Sequence, residues 1–434
     1  MLAPFLACIG SSVIDRTPPS APVTSLALEP VIVRASGTLV CRLAGEPHEL
    51  HRVAAVDGVY ALHGLLADST YSCNVGLGEP FEVTTEPLPD WVPRPVVGGD
   101  PGSSEVGYLL AQTFWQDDED RVGQPALVIL DREGRVRWYH ALGEDYEAVD
   151  ASYLGDGRVL YGGNGGPVRE VDLYGEPIWE SWQGIHHDVE ELPSGLVAGL
   201  IEAPQPDYMA FGVVVFDPNT GEETWRWESQ DHLDTLPLPA EHSIYDVWHA
   251  NSLQIEEVDG VVESAWINVR NQDLILRIDR DSGDVDLSID PREWSIQKAG
   301  GEDAEWFHQP HDVQVRGHEI LLYDNGWVGG YSRIMEFEFD EDSRVATGTF
   351  QWGESWYESV WGGVDELGGG HLIVARGHCT GCPTKGTGGS QLIEVDRSAH
   401  EDVWRVRFEE EGVGLYRVRP IDGCSIFSTS RYCD

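Results

Sequence analysis

Phe216-Asp217-Pro218-Asn219-Thr220-Gly221, followed by Trp225, decides the fold because it belongs to a series. An apolar strand end, an acidic turn and a strand opening on an apolar or tryptophan residue recur at Ile129-Leu130-Asp131-Arg132-Glu133-Gly134 before Trp138. They recur again at Val171-Asp172-Leu173-Tyr174-Gly175 before Trp179 and at Ile278-Asp279-Arg280-Asp281-Ser282-Gly283, with weaker copies at Phe339-Asp340-Glu341-Asp342 and Val395-Asp396-Arg397. Between the copies lies a second pattern, an alternating strand, a glycine turn and an apolar strand. It reads as Tyr153-Leu154-Gly155-Asp156-Gly157-Arg158-Val159-Leu160, Glu191-Leu192-Pro193-Ser194-Gly195-Leu196-Val197, Gln314-Val315-Arg316-Gly317-His318-Glu319-Ile320-Leu321 and Glu366-Leu367-Gly368-Gly369-Gly370-His371-Leu372-Ile373. Each copy therefore holds two hairpins, or four strands, which cannot bury both faces alone. Six copies of about 55 residues each predict an all-β, six-bladed propeller over residues 105–434. Asp279-Arg280-Asp281-Ser282-Gly283-Asp284 resembles a calcium loop, but its recurrence as a hairpin turn favours turn chemistry.

Outward from the repeat, residues 23–88 change to short β-type runs, among them Val31-Ile32-Val33, Thr38-Leu39-Val40-Cys41 and Phe81-Glu82-Val83-Thr84-Thr85. The run from Gly58 to Cys73 looks like the fibronectin type III pattern, so a small β-sandwich is expected there, with Cys41 and Cys73 as its staple. Residues 89–104 read as a linker and 1–22 as a signal-like segment with a proline-rich tether. Met1 to Ser12 is apolar up to Cys8, like the end of a bacterial lipoprotein signal, which makes Cys8 a candidate lipid anchor. The other cysteines form local pairs, Cys41 with Cys73, Cys379 with Cys382 and Cys424 with Cys433. Disulfides in an exported, periplasmic or cell-surface protein are the favoured reading; zinc at Cys379-x-x-Cys382 beside His378 stays open.

Asp and Glu number 75 against 28 Lys and Arg, a net charge of −47. Such a surface repels nucleic acid and anionic lipid, so neither is an expected partner. Lysine occurs only at Lys298 and Lys385, so an anion site must draw on Arg and His.

His187, His249 and His311 are 62 residues apart in each step, each at the start of a strand-like run. Three imidazoles at one phase of consecutive repeats predict a shared pocket at the channel of the array. Asn251 lies two residues after His249, on the same side of the strand. Arg270, across the following hairpin, presents a planar fork suited to a tetrahedral oxyanion. This set contains no carboxylate and suits transfer of an anionic group better than a divalent metal. No cofactor is expected.

At these residues the chain resembles the bacterial arylsulfate sulfotransferases, exported enzymes that do not use the nucleotide sulfate donor. The matching stretches are His187-Asp188, His249-x-Asn251, Arg270, His311-Asp312, Tyr323-Asp324-Asn325-Gly326, Ser332-Arg333-Ile334-Met335-Glu336-Phe337 and the Leu-Gly-Gly-Gly-His-Leu-Ile-Val stretch. The resemblance implies a ping-pong transfer of a sulfuryl group from an aryl sulfate to a phenol through a sulfohistidine at His311. It implies that His187, His249, Asn251 and Arg270 bind the sulfuryl oxygens or handle the phenolic proton, with either histidine open as acid or base. Pro310 separates Gln309 from His311, a departure from the family pattern that leaves His308 as a rival nucleophile. Trp248, Phe307 and Tyr323 are candidates for an aromatic slot, and a homodimer is an open expectation. Two other readings stand beside this one: a metal-dependent propeller enzyme using the three histidines, and a non-catalytic binding propeller.

Overall fold

The structure, a computed structural model, describes residues 37–54, 56, 59–115, 125–142, 147–164, 166–205, 207–234, 236, 245–353, 356–377, 390–408, 413–427 and 432. It also describes short strands at 13–14, 23–25 and 31–34. Cys8, Cys379, Cys382, His378 and Cys433 lie outside the described residues. The described residues are all-β apart from one short helix, Gly423–Phe427, and a few single turns.

The repeat appears as a succession of sheets, antiparallel except for the parallel outer strand Ser295–Lys298 of one, each read outward from an inner strand. Glu147–Gly155, Ile185–Glu191, Ala250–Val258, His311–Arg316 and Gly363–Glu366 open five of them. The sixth takes its inner strand from the far end of the chain: Val413–Ile421 pairs with Tyr108–Trp115, which pairs in turn with Ala126–Asp131. Each inner strand lies against the next, and Val413–Ile421 lies against both Gly363–Glu366 and Glu147–Gly155, so the inner strands form a closed ring. The ring closes where Val413–Ile421 and Tyr108–Trp115 pair, which joins the two ends of the repeat in one sheet. Between sheets, alternating apolar residues interlock, as where Leu200, Phe211 and Val213 meet Leu253, Ile267 and Leu276.

The acidic turns behave as the repeat predicts. Asp131 accepts from the backbone of Glu133 and Arg135, and Asp172 does the same for Tyr174 and Glu176. Asp279 accepts from both the backbone and the hydroxyl of Ser282. Their carboxylates close hairpins and have no need of an ion to do so.

Two expected boundaries move. Val96–Gly99, read as linker, is a strand that pairs with Glu401–Arg407 and covers the outer edge of the sheet opened by Gly363–Glu366. Val13–Ile14, read as tether, pairs with Ile32–Val33. The N-terminal unit consists of a three-stranded sheet and a five-stranded sheet. Cys41 and Cys73 are cross-strand partners in the larger sheet and form a disulfide. Cys424 is disulfide-bonded too.

This unit is tied to the repeat by buried charge. Arg137, fully buried, donates to both carboxylate oxygens of Glu49 at 2.6 and 2.9 Å, to Asp131 at 2.7 Å and to the Gly64 carbonyl at 2.9 Å. Glu49 also meets His51 Nε2 at 2.8 Å, and His51 Nδ1 donates to the Phe427 carbonyl at 2.9 Å. The N-terminal unit, the sixth sheet and the C-terminal helix thus share one network.

Candidate active site

The ring of inner strands brings together His187, His249 and His311. The His187 and His249 rings are 5.0 Å apart, and Tyr416 lies 5.9 Å from His187 and 6.0 Å from His311. Equal spacing was not the reason they meet. Each inner strand reaches across to the next: Leu253 N donates to Asp188, Val313 N to the Ser252 hydroxyl, and Val364 N to Asp312. Ile255 N to Glu190 and Val315 N to Gln254 repeat the pattern two residues on. Asp188, Ser252 and Asp312 are therefore equivalent, which makes Asn251, and not His249, the counterpart of His187 and His311. His249 enters from two residues earlier, where its backbone is left-handed at φ 51°; His187 shares that conformation at φ 58°. A non-glycine residue held there is strained by about 1–3 kcal/mol and persists only where neighbours over-determine it.

His311 is the best defined of the three. Asn325 Nδ2 donates to the carbonyls of Glu358 at 2.8 Å and Trp361 at 3.1 Å, so its Oδ1 faces His311 Nδ1 at 2.6 Å. Nδ1 must then carry the proton, and Nε2 is left with a lone pair. Burial, then the Arg270 guanidinium, hold His311 well below the usual imidazole pKa, against the opposing effect of the hydrogen bond it donates to Asn325. His187 is also pushed well below, by burial first and then by His186 and His249. Its Nδ1 is 2.5 Å from His186 Nδ1. Both rings are neutral at physiological pH.

Arg270 sits on the turn Arg270–Gln272 that follows the strand Val261–Val269. It donates to Asn271 at 2.7 Å, to Gln309 Oε1 at 3.1 Å and to the Ser359 carbonyl at 2.7 Å. Its Nε is buried with no hydrogen-bond partner among the described residues. Burial lowers its pKa, yet a guanidinium remains charged. Below the histidines, Arg417 and Arg419 meet Asp150, Asp188, Asp312 and Asp365, so their charge is balanced within the floor of the site.

The remaining candidates are placed elsewhere. Asn251 is fully buried and donates to the Pro310 carbonyl at 3.0 Å while accepting from Asn268 at 2.5 Å. It braces the entry to His311, and both ends of its amide are engaged with protein. Trp248, Phe307 and Tyr323 belong to the cores between sheets. Tyr323 lies under Gly362, where an added Cβ would come within 2.5 Å of its ring, and its hydroxyl accepts from Trp356. Each of the three rings is enclosed by packing and none faces an open slot in this structure. Tyr416 is buried as well, packed between His187 and His311, and its hydroxyl donates to the Asn251 carbonyl at 3.3 Å. His308 Nδ1 is held by Asp273 at 2.9 Å and its backbone N–H by Asp324. Among the described residues no group of three or more His, Cys, Asp or Glu is arranged to hold a metal ion.

Sequence reading missed Asn325, Tyr416 and Gln309 as site residues. Asn325 lay in a quoted stretch, but only the fold shows that its amide meets His311. Glu358, whose carbonyl anchors that amide, is itself a buried acid pushed up to about 8 by burial, and its Oε2 has no partner among the described residues. A carboxyl with a raised native pKa lowers stability as pH climbs from its unfolded value toward the folded one, since the unfolded chain releases the proton first. Glu358→Gln should therefore gain stability over the native chain between pH 5 and 8, by up to about 4 kcal/mol. Thermal midpoints at the two pH values check this; a difference that does not grow with pH contradicts it.

A family model for arylsulfotransferase (ASST) matches residues 103–417. No curated protein matches the chain. Similar solved structures include a protein of unknown function from Bacteroides caccae, at 13% identity and a TM-score of 0.47, covering 73% of this chain and 99% of that one. A putative 6-phosphogluconolactonase from Bacteroides fragilis is similar at 11% identity and a TM-score of 0.39, covering 89% and 98%. The periplasmic gluconolactonase of Pseudomonas aeruginosa is similar at 12% and 0.35, covering 88% and 98%. With the family model spanning residues 103–417, which include His187, His249, Arg270 and His311, the chain belongs to the arylsulfotransferase (ASST) family.

Proposed function

We propose that the protein is an aryl sulfotransferase that moves a sulfuryl group from an aryl sulfate to a phenol by a ping-pong mechanism through a sulfohistidine at His311. The observation that carries this reading is the fixed tautomer of His311, with Nδ1–H held by Asn325 and Nε2 making no bond to any described residue. Nε2 attacks sulfur, the N–S bond forms as the S–O bond to the aryl oxygen breaks, and the ring's developing positive charge rests on the Nδ1–H to Asn325 contact. Arg270, with Nε still available, stabilises the sulfuryl oxygens. The depressed pKa of His311 keeps the nucleophile unprotonated well into the acid range.

The six sheets are the blades of a closed propeller in this reading, and the N-terminal pair of sheets is a fibronectin-III-like sandwich. Export to the periplasm or cell surface is part of the same proposal and is supported by the Cys41–Cys73 disulfide.

Intact mass after incubation with 4-nitrophenyl sulfate tests the reading. The protein should gain one sulfuryl group with release of 4-nitrophenol, and lose it on addition of a phenol. Release of 4-nitrophenol without an adduct would replace the covalent step with direct transfer, and neither adduct nor release would leave a binding protein.

A further inference from the structure

The transfer proposed above needs a group that can hold a proton beside the ester oxygen, and the geometry singles out one histidine. We propose that Asp246 is the positioning residue that makes His249 the acid–base of the site; this rests on the sulfuryl-transfer reading. Asp246 Oδ1 accepts the backbone N–H of His249 at 3.1 Å, and Oδ2 accepts from His249 Nδ1. One carboxylate thus fixes both the left-handed backbone of His249 and the rotation of its ring. With Nδ1–H on Asp246, Nε2 is the nitrogen left to exchange a proton, on a ring 5.0 Å from that of His187.

The same turn is bolted to the one that carries Arg270. Arg270 N donates to the His249 carbonyl at 3.1 Å and Asn271 N to the Trp248 carbonyl at 3.0 Å. Asn271 Nδ2 donates to the Asp246 carbonyl at 2.8 Å, and Gln272 Nε2 to the Val247 carbonyl at 2.6 Å. Proton handling and anion binding are therefore held in one rigid piece.

The environment separates the three histidines. His187 Nδ1 is against the ring of His186, and His311 Nδ1 is on the neutral Asn325. Among the described residues, only His249 of the three has a carboxylate on its ring. A second carboxylate, Glu202 on the strand Val197–Pro204, lies within electrostatic reach of it, while His186, His187 and His311 face it from the neighbouring inner strands. His249 is also the more accessible, its side chain 28% exposed.

The step balances. As His311 Nε2 forms its bond to sulfur and the S–O bond breaks, the aryl oxygen takes the proton from His249 Nε2. The phenol leaves neutral and His249 becomes neutral, its Nδ1–H still on Asp246. In the second half, the acceptor phenol gives its proton to Nε2 as its oxygen takes the sulfuryl group and the N–S bond breaks.

Leaving-group dependence provides the test. In Asp246→Asn, kcat/KM for phenyl sulfate should fall about 100-fold or more, the usual span for losing general acid catalysis. For 4-nitrophenyl sulfate, whose phenolate departs without help, the loss should stay under about tenfold, because the contribution of general acid catalysis shrinks with a good leaving group. KM for either donor should change little. His249→Gln, which keeps a side-chain amide toward Asp246, should show the same selective loss. Equal losses on both donors in both variants would overturn the assignment and leave Asp246 a structural brace. Failure of the unmutated protein to form the adduct would instead remove the underlying sulfuryl-transfer reading, so the two failures are distinguishable.

Discussion

His311→Ala should form no sulfuryl adduct and should lose turnover by a factor on the order of 10⁶, as expected when a nucleophile is removed from a preorganised site. The loss should fall on kcat, with donor binding retained, because Arg270 keeps its contacts to Gln309 and Ser359. His308→Ala is the informative companion. The His308 ring is committed to Asp273, so its removal should leave the adduct and most of the rate intact. Mass spectrometry and steady-state rates on both variants check the pair. Adduct formation in His311→Ala, or its disappearance in a folded His308→Ala, would transfer the nucleophile to the other histidine. His311 is 1% exposed, so thermal midpoints of both variants should accompany the rates to separate lost chemistry from lost fold.

Glu49→Gln should cost about 3–5 kcal/mol of stability, the largest effect expected away from the site. It strips Arg137 of its bidentate carboxylate partner while the guanidinium stays buried, and an uncompensated buried charge is far more costly than the pair was favourable. Asp131, at 2.7 Å, still offers one carboxylate, which argues for the lower end of that range. The double variant Glu49→Leu with Arg137→Met should recover part of the loss, because neither of those two charges then remains to be desolvated and buried Asp131 keeps its ion pair with Arg135 at 2.9 Å. Denaturant midpoints of the single and double variants decide it. A Glu49→Gln protein as stable as the parent would mean that the Arg137–Glu49 pair does not hold the N-terminal unit to the sixth sheet.

Much of the architecture was legible because it is local. The acidic turns, glycine corners and alternating strands carry their own hydrogen bonds, and Asp131, Asp172 and Asp279 do in the fold what the repeat implied. The two revised boundaries show the limit. Val13–Ile14 is only two residues long and Val96–Gly99 follows Pro95 and ends in two glycines, so nothing local distinguishes them from linker. Each is a strand only because a distant edge is waiting for a partner.

The site divides along the same line. The chain by itself determined the residue types, three imidazoles and a guanidinium on a net-acidic protein, and the repeat that would bring them to one end of a ring. Tertiary structure alone decided their duties. Loop lengths between repeats hid that Asn251, and not His249, is the counterpart of His187 and His311, since side-chain bonds between adjacent inner strands set the register. The core took Trp248, Phe307 and Tyr323, because apolar rings on inner hairpins fill the gaps between sheets. Contacts across distant segments fixed the tautomer of His311 through Asn325, and a turn closed by Asp246 aimed His249. Those choices depend on how the ring closes, which places residues far apart in the chain within a few ångströms of each other.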